Sequence, residues 1–367
     1  MSTCTTEILV PPHIAALKGY EAGLSAEEIR QRYGLDRVVK LASNENPLGS
    51  SPHAIERAQQ ALQNLSRYPS GGLALRRKLG ELFNVNVENV IAGSGSEGII
   101  SNIVRTFLSD EDEVLTTEAA FLGFQVLAHS RGVAYRTVPY RDWHYDLTAL
   151  ANAINPKTKL IYLANPNNPT GTFFTRQAFE QFHKRVPERV LIILDEAYYE
   201  FGVVEQSYPD SMHYRFDNVI TLRTFSKAYG LAAARVGYGF AHEDLIAMLL
   251  KVKLAFEPSG PSEAAALGAL EDPEFMLRSV ANNVKGLAYL ARNLRDMGFD
   301  VIRSAGNFVM VVMGDEQQAN GLFQNLLERG VIIRPLAATG LPNCLRISVG
   351  TPEENEFLSH TLSLISR

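Results

Sequence analysis

A lysine able to hold an aldehyde as an imine, with neighbours able to hold a phosphate, stands in Thr224-Phe225-Ser226-Lys227-Ala228-Tyr229-Gly230, and Arg235 follows eight residues after Lys227. An ε-amine supplies the covalent link, while small hydroxyls and a permanently charged, forked guanidinium suit a phosphate dianion. Together they describe a pocket for pyridoxal phosphate (PLP). Taken alone, Lys227 reads as a solvated surface lysine, the usual fate of that residue type, so its companions must decide. Asp195 directly follows Leu191-Ile192-Ile193-Leu194. A carboxylate there sits at the carboxyl end of a buried strand, where open α/β sheets bind ligands, and can keep a pyridine nitrogen protonated.

Three further stretches belong beside these two. Gly93-Ser94-Gly95-Ser96-Glu97-Gly98 follows Val90-Ile91 and opens a helix; the free backbone N–H groups of Ser96 and Glu97 suit a phosphate. The same stretch matches a dinucleotide fingerprint, with Glu118 as its acidic partner, which keeps an NAD-dependent oxidoreductase as a rival. Asn165-Pro166-Asn167-Asn168-Pro169-Thr170-Gly171 makes a tight loop after the strand Leu160–Leu163. From it Asn168 can donate a hydrogen bond to a cofactor phenolate oxygen, as can Tyr198, lowering the imine's proton affinity so that Lys227 serves as proton carrier. Asp195-Glu196 after an apolar strand also resembles half of a nucleoside triphosphatase site, but the chain has no Gly-Lys dipeptide to complete a phosphate loop. Arg334 and Arg346, in short strands near the end, are candidates for a substrate carboxylate.

The elements that must position these residues alternate. Helices are predicted over 52–64, 73–83, 97–108, 121–130 and 176–185 from apolar spacings of three and four. Strands are predicted over 113–116, 160–163, 190–194 and 218–222, without polar alternation, as in a mostly parallel sheet covered on both faces. Beyond Glu257-Pro258-Ser259-Gly260-Pro261 the pattern becomes long helices (262–270 and 273–297). Strands over 301–303, 308–313, 331–334 and 345–349 then alternate with helices over 317–329 and 352–365. The expected architecture is α/β, a three-layer αβα unit with a mostly parallel central sheet plus a smaller α+β domain. The divisions expected are an arm (1–45) joining the small domain, a large PLP-binding domain (46–260) and a small C-terminal domain (261–367).

The chain has 367 residues, 46% of them hydrophobic and 20% charged, with a net charge of −5. It offers no basic footprint for nucleic acid or an anionic membrane, so a small-molecule substrate is expected. Cys4 and Cys344 make no disulfide framework and show no metal-ligand spacing. Without a leader-like segment or a long apolar run, a reducing cytoplasm is the expected location.

The motifs together resemble the fold-type I PLP-dependent aminotransferases, and most closely their histidinol-phosphate branch. The resemblance runs through Leu41-Ala-Ser-Asn-Glu-Asn-Pro-Leu-Gly49, Arg67-Tyr68-Pro69, Asn165–Gly171, Asp195-Glu-Ala-Tyr198, Thr224–Gly230, Arg235-Val-Gly-Tyr238 and Leu345–Thr351, in the family's order. It implies that Lys227 carries PLP and shuttles a proton, Asp195 pairs with the pyridine nitrogen, and Asn168 and Tyr198 bind the phenolate oxygen. By the same resemblance Ser96, Glu97, Thr224, Ser226 and Arg235 hold the phosphate, and Phe121 stacks on the ring. It also implies a homodimer in which Tyr68 reaches the partner's phosphate, and substrate contacts from Arg346, Arg334, Tyr20 and Asn46. The reaction implied is transamination of histidinol phosphate with 2-oxoglutarate. An aromatic amino acid aminotransferase and a phosphothreonine decarboxylase are the rivals within PLP chemistry. The chain departs from the family at Ala119-Ala120 before Phe121, at Gly19-Tyr20 and in Ser94–Gly98.

Overall fold

The computed structural model describes residues 9–17 and 25–365. Its strands are β1 (Val39–Lys40), β2 (Val90–Gly93), β3 (Glu113–Thr117), β4 (Ala134–Val138), β5 (Thr158–Ala164), β6 (Leu191–Asp195), β7 (Val219–Thr224) and β8 (Gly237–Phe240), followed by β9 (Asp300–Ile302), β10 (Phe308–Val312), β11 (Val331–Ile332), β12 (Arg334–Pro335) and β13 (Cys344–Ser348). A seven-stranded sheet runs β2-β8-β7-β6-β5-β3-β4. Only the pairs made by β8 are antiparallel. Two reversals return β2 to the direction of β7, so the helix Gly95–Phe107 starts at the edge where β5, β6 and β7 end.

The continuous apolar runs follow from cover on both faces. Tyr162, Ile193 and Leu222 pack with Ile99 and Ile103 on one side, whereas Ile161, Leu163, Ile192 and Leu194 pack with Phe179 and Phe182 on the other. That is the two-residue alternation of a strand whose every side chain is buried. A four-stranded sheet, β12-β13-β10-β9, forms the second core with the helices Pro273–Asp296, Glu316–Glu328 and Pro352–Ile365.

Several elements differ from expectation, among them β1 and the helices Leu147–Ala153 and Glu243–Val252, which were not expected. The single strand expected over 331–334 is two: β11 pairs in parallel with β1, while β12 pairs antiparallel with β13, Ile333 standing between them. Strand β8 went unpredicted because Gly237 and Gly239 dilute its pattern, yet both are required. A Cβ at Gly237 would lie 2.4 Å from the Ser96 nitrogen, and one at Gly239 2.9 Å from the Thr221 carbonyl oxygen. Strand β4 is an outer strand, mostly uncovered, and lacks an apolar run.

Candidate functional site

Where β5, β6 and β7 end, a cavity of about 670 Å³ opens between the large sheet and the β12–β13 edge of the small one. Each strand delivers a residue. Asp195 closes β6, Thr224 closes β7 and leads into the turn that carries Lys227, and the loop after β5 presents Asn168. Ser96 and Glu97 lie in the first turn of the helix Gly95–Phe107, whose N-cap Ser94 makes no side-chain cap, leaving the N–H groups of that turn to a ligand.

Asp195 is buried, which pushes its pKa up. Two donors oppose this: the Tyr162 hydroxyl gives a hydrogen bond to Oδ2 at 2.7 Å, and the Ala197 N–H gives one to Oδ1 at 3.1 Å. Tyr162 is itself held by stacking on Phe124, ring centroids 4.1 Å apart. Behind this pair, buried Arg223 donates to Glu196 at 2.9 Å and to Asp210 at 3.0 Å, and its guanidinium lies 3.3 Å from the Tyr199 ring centroid. This ion cluster ties the ends of β6 and β7 to each other, one residue beyond Asp195 and one before Thr224.

Lys227 is largely buried, and its Nζ donates to the Ser43 carbonyl at 3.2 Å. Burial first, then the positive charge of Arg346, lowers its pKa to about 8. Arg235 has a left-handed backbone, φ +50°, that turns its guanidinium to the Ser226 hydroxyl at 3.2 Å and to Glu97 at 3.7 Å. Gly95 beside that guanidinium has φ +78°, a backbone that side-chain-bearing residues rarely adopt, so the turn favours glycine. On the opposite wall Arg334 and Arg346 are register partners across β12 and β13. Arg346 donates to Asn168 Oδ1 at 2.6 Å and to the Ala42 carbonyl at 2.7 Å. With its carbonyl so engaged, the Asn168 amide turns its NH₂ donors elsewhere. The cavity lining holds four cationic side chains, Lys227, Arg235, Arg334 and Arg346, against the carboxylates of Asp195 and Glu97. Such a lining suits ligands with more than one negative charge.

The model of the family "Aminotransferase class I and II" matches residues 36–362. The chain belongs to that family. Histidinol-phosphate aminotransferase 2 of Hydrogenovibrio crunogenus is 41% identical over 97% of this chain and 96% of its own length. Histidinol-phosphate aminotransferase of a Geobacillus species is 40% identical over 96% and 97%. Among solved structures, histidinol-phosphate aminotransferase of Sinorhizobium meliloti in complex with pyridoxal-5'-phosphate superposes with a TM-score of 0.90, at 28% identity over 98% of this chain and 97% of that one. An aspartate aminotransferase of Thermus thermophilus shares the fold, with a TM-score of 0.85 at 22% identity over 98% and 99% of the two chains.

Of the residues singled out from sequence, Lys227, Asp195, Asn168, Tyr198, Ser96, Glu97, Phe121, Thr224, Ser226, Arg235, Arg334 and Arg346 all line this aminotransferase cavity. Asn46 does not. Its amide donates to the Ala228 carbonyl and the Ser279 hydroxyl, both at 2.8 Å, bracing the Lys227 turn from outside, and Asn44 takes the place at the cavity wall. Tyr68 lies away from the cavity too, 83% exposed and stacked on Phe256 at 4.3 Å. Tyr20 falls outside the described residues. Sequence reasoning missed Tyr162, which passes for a core residue of an apolar strand, and Asn44, although the motif containing it was noted. Among the described residues no group of three or more His, Cys, Asp or Glu could hold a metal ion, and no helix is long and apolar enough to cross a membrane.

Proposed function

We propose that this aminotransferase carries out PLP-dependent transamination of histidinol phosphate with 2-oxoglutarate, giving imidazole acetol phosphate and glutamate. One observation carries the reading: Lys227 and Asp195 share a cavity with a phosphate cradle at one side and two register-paired arginines at the other. The donor set fits PLP. The helix start and Arg235 suit its phosphate, Asp195 suits its ring nitrogen, and Lys227 suits its aldehyde. PLP supplies an electrophilic carbon for the substrate amine and a ring that stabilises the carbanion left at Cα.

The chain's own residues do the rest. Ser96, Glu97, Thr224, Ser226 and Arg235 hold the phosphate, Phe121 covers the ring, and Asn168 and Tyr198 donate to the phenolate oxygen. Asp195, whose charged form is favoured by the donors Tyr162 and the Ala197 N–H, holds a proton on the ring nitrogen. The Nζ of Lys227 would take the proton from Cα and carry it to the carbon that bore the aldehyde, a task its lowered pKa suits at neutral pH. Arg346 and Arg334 take the phosphate monoester of one substrate and a carboxylate of the other. The exposed Tyr68 supports a homodimer in which each copy lends this residue to its partner's phosphate site, and we place the enzyme in the cytoplasm.

Steady-state assays with histidinol phosphate, phenylalanine and phosphothreonine test the substrate, and the highest kcat/KM is expected for histidinol phosphate. A strong preference for phenylalanine would overturn it. Borohydride reduction followed by peptide mapping tests the attachment, with a pyridoxyl adduct expected on Lys227 alone.

A further inference from the structure

The hydrogen-bond directions around Asn44 are over-determined. The Asn44 backbone N–H donates to Ser348 Oγ at 2.9 Å, so the Ser348 hydroxyl proton is free to point to Asn44 Oδ1, 2.7 Å away. That makes Oδ1 an acceptor and leaves Nδ2 as the donor to the Tyr198 hydroxyl oxygen at 2.9 Å. The opposite amide orientation would strand the Ser348 proton in a buried place, a costly loss. Among the described residues no protein acceptor then takes the Tyr198 hydroxyl proton, and Tyr198 lines the cavity. Asn44, Ser348 and Tyr198 are all buried, and Asn307 fixes the Asn44 carbonyl from the far side at 3.0 Å. The Asn44 backbone is left-handed, φ +56°, a conformation asparagine tolerates better than most residues.

We infer that Asn44 is a positioning residue whose amide, polarised by Ser348, forces the Tyr198 hydroxyl to donate into the cavity, toward the cofactor's phenolate oxygen. This rests on the proposed PLP chemistry and deepens it: the proton direction at Tyr198 is set from the small sheet, through β13. The charged groups facing Tyr198 are Arg346, Asp195 and Lys227, and all three stay in place in the variants below.

The test compares removal of the amide with reversal of its polarity. Asn44→Asp offers only acceptors and turns the Tyr198 proton away from the cofactor, whereas Asn44→Gly deletes the contact and leaves the proton free to point inward. Both residue types accept the left-handed backbone. The readout is the pH at which the visible absorption of the PLP-loaded enzyme changes, since donation to the phenolate lowers the proton affinity of the linked nitrogen. Asn44→Asp is expected to raise that pH by about one unit or more, and Asn44→Gly by less than about half a unit. The added negative charge alone would also raise it, so the comparison is repeated in a Tyr198→Phe background, where the Asn44→Asp shift should fall to less than about half its size. The dissociation constant for PLP, read by quenching of the single tryptophan, Trp143, should weaken about tenfold in Asn44→Asp and less than about threefold in Asn44→Gly. Equal shifts in both backgrounds, or equal shifts from Asp and Gly, would overturn the inference while the wild-type spectrum stood. A wild-type chain with no PLP on Lys227 would remove both this inference and the function on which it rests.

Discussion

Lys227 must be neutral at Nζ to attack an aldehyde, and the site makes it so well below the pH of an ordinary lysine. Burial leads, Arg346 and Arg235 add repulsion, and Glu45 and Asp195 oppose, for a pKa lowered from 10.5 to about 8. At pH 7 roughly one amine in ten is then unprotonated, against about one in 3,000 for a free lysine, a gain of about 300-fold in reactive base. The perturbation is pH, applied to apoprotein mixed with PLP in a stopped-flow spectrometer. Dividing each rate by that of a blocked lysine amide under the same conditions removes the cofactor's own titrations. The ratio should hold constant up to about pH 8 and then fall about tenfold per unit as the free amine catches up. Arg346→Gln should move that break upward, because it removes the second-largest cause of the shift. A ratio constant to pH 10 in the wild-type chain would refute the reasoning, since it would mean an unperturbed lysine. The linked stability has a definite sign. Between about pH 8 and 10.5 the unfolded chain binds the proton that the folded one has released, so this group's contribution to apoprotein stability rises with pH there and is level outside that window.

Lys227→Ala should lose turnover by several orders of magnitude, since covalent carrier and proton carrier vanish together; near-wild-type kcat would refute the assignment. Gly237→Ala should drive the Ser96 nitrogen from its place, 2.4 Å from the added Cβ, and weaken PLP binding by about tenfold or more in the Trp143 quenching titration. An unchanged dissociation constant would show that the phosphate is held elsewhere. Arg223→Met should leave Glu196 as an uncompensated buried carboxylate at a cost of about 3 kcal/mol, and lower the thermal midpoint by roughly 4 °C. An unmoved midpoint would remove the ion cluster from the account of how the ends of β6 and β7 are held.

What could be read from the chain was what is local. Asp195 announces itself because a strand of uninterrupted apolar residues followed at once by a polar one has a single physical meaning: the sheet's covered region ends there and the ligand edge begins. Thr224 and Lys227 stand out instead through the hydroxyls and the arginine that surround the lysine in sequence. Arg334 and Arg346 stood out as charges in short strands. That they are register partners needed the β12–β13 pairing, and Ile333, which divides β11 from β12, gives no sign that two strands share one apolar run. Asn44 and Asn46 show the limit most sharply. Both stand in one motif two residues apart, yet Asn44 faces Tyr198 and Ser348 while Asn46 faces Ala228 and Ser279. Their difference is the local backbone, φ +56° at Asn44, and no propensity of asparagine says which of the two turns inward. Tyr162 was hidden for the opposite reason, since inside a buried strand it reads as core, and Arg223 lay just past the strand expected over 218–222. Only the pairing of β5, β6 and β7 reveals that one hydroxyl reaches Asp195 and one guanidinium reaches Glu196. The reacting groups are therefore legible as chemistry at strand ends. The residues that set their protonation and aim come from long-range pairing and hydrogen-bond direction, which no linear pattern encodes.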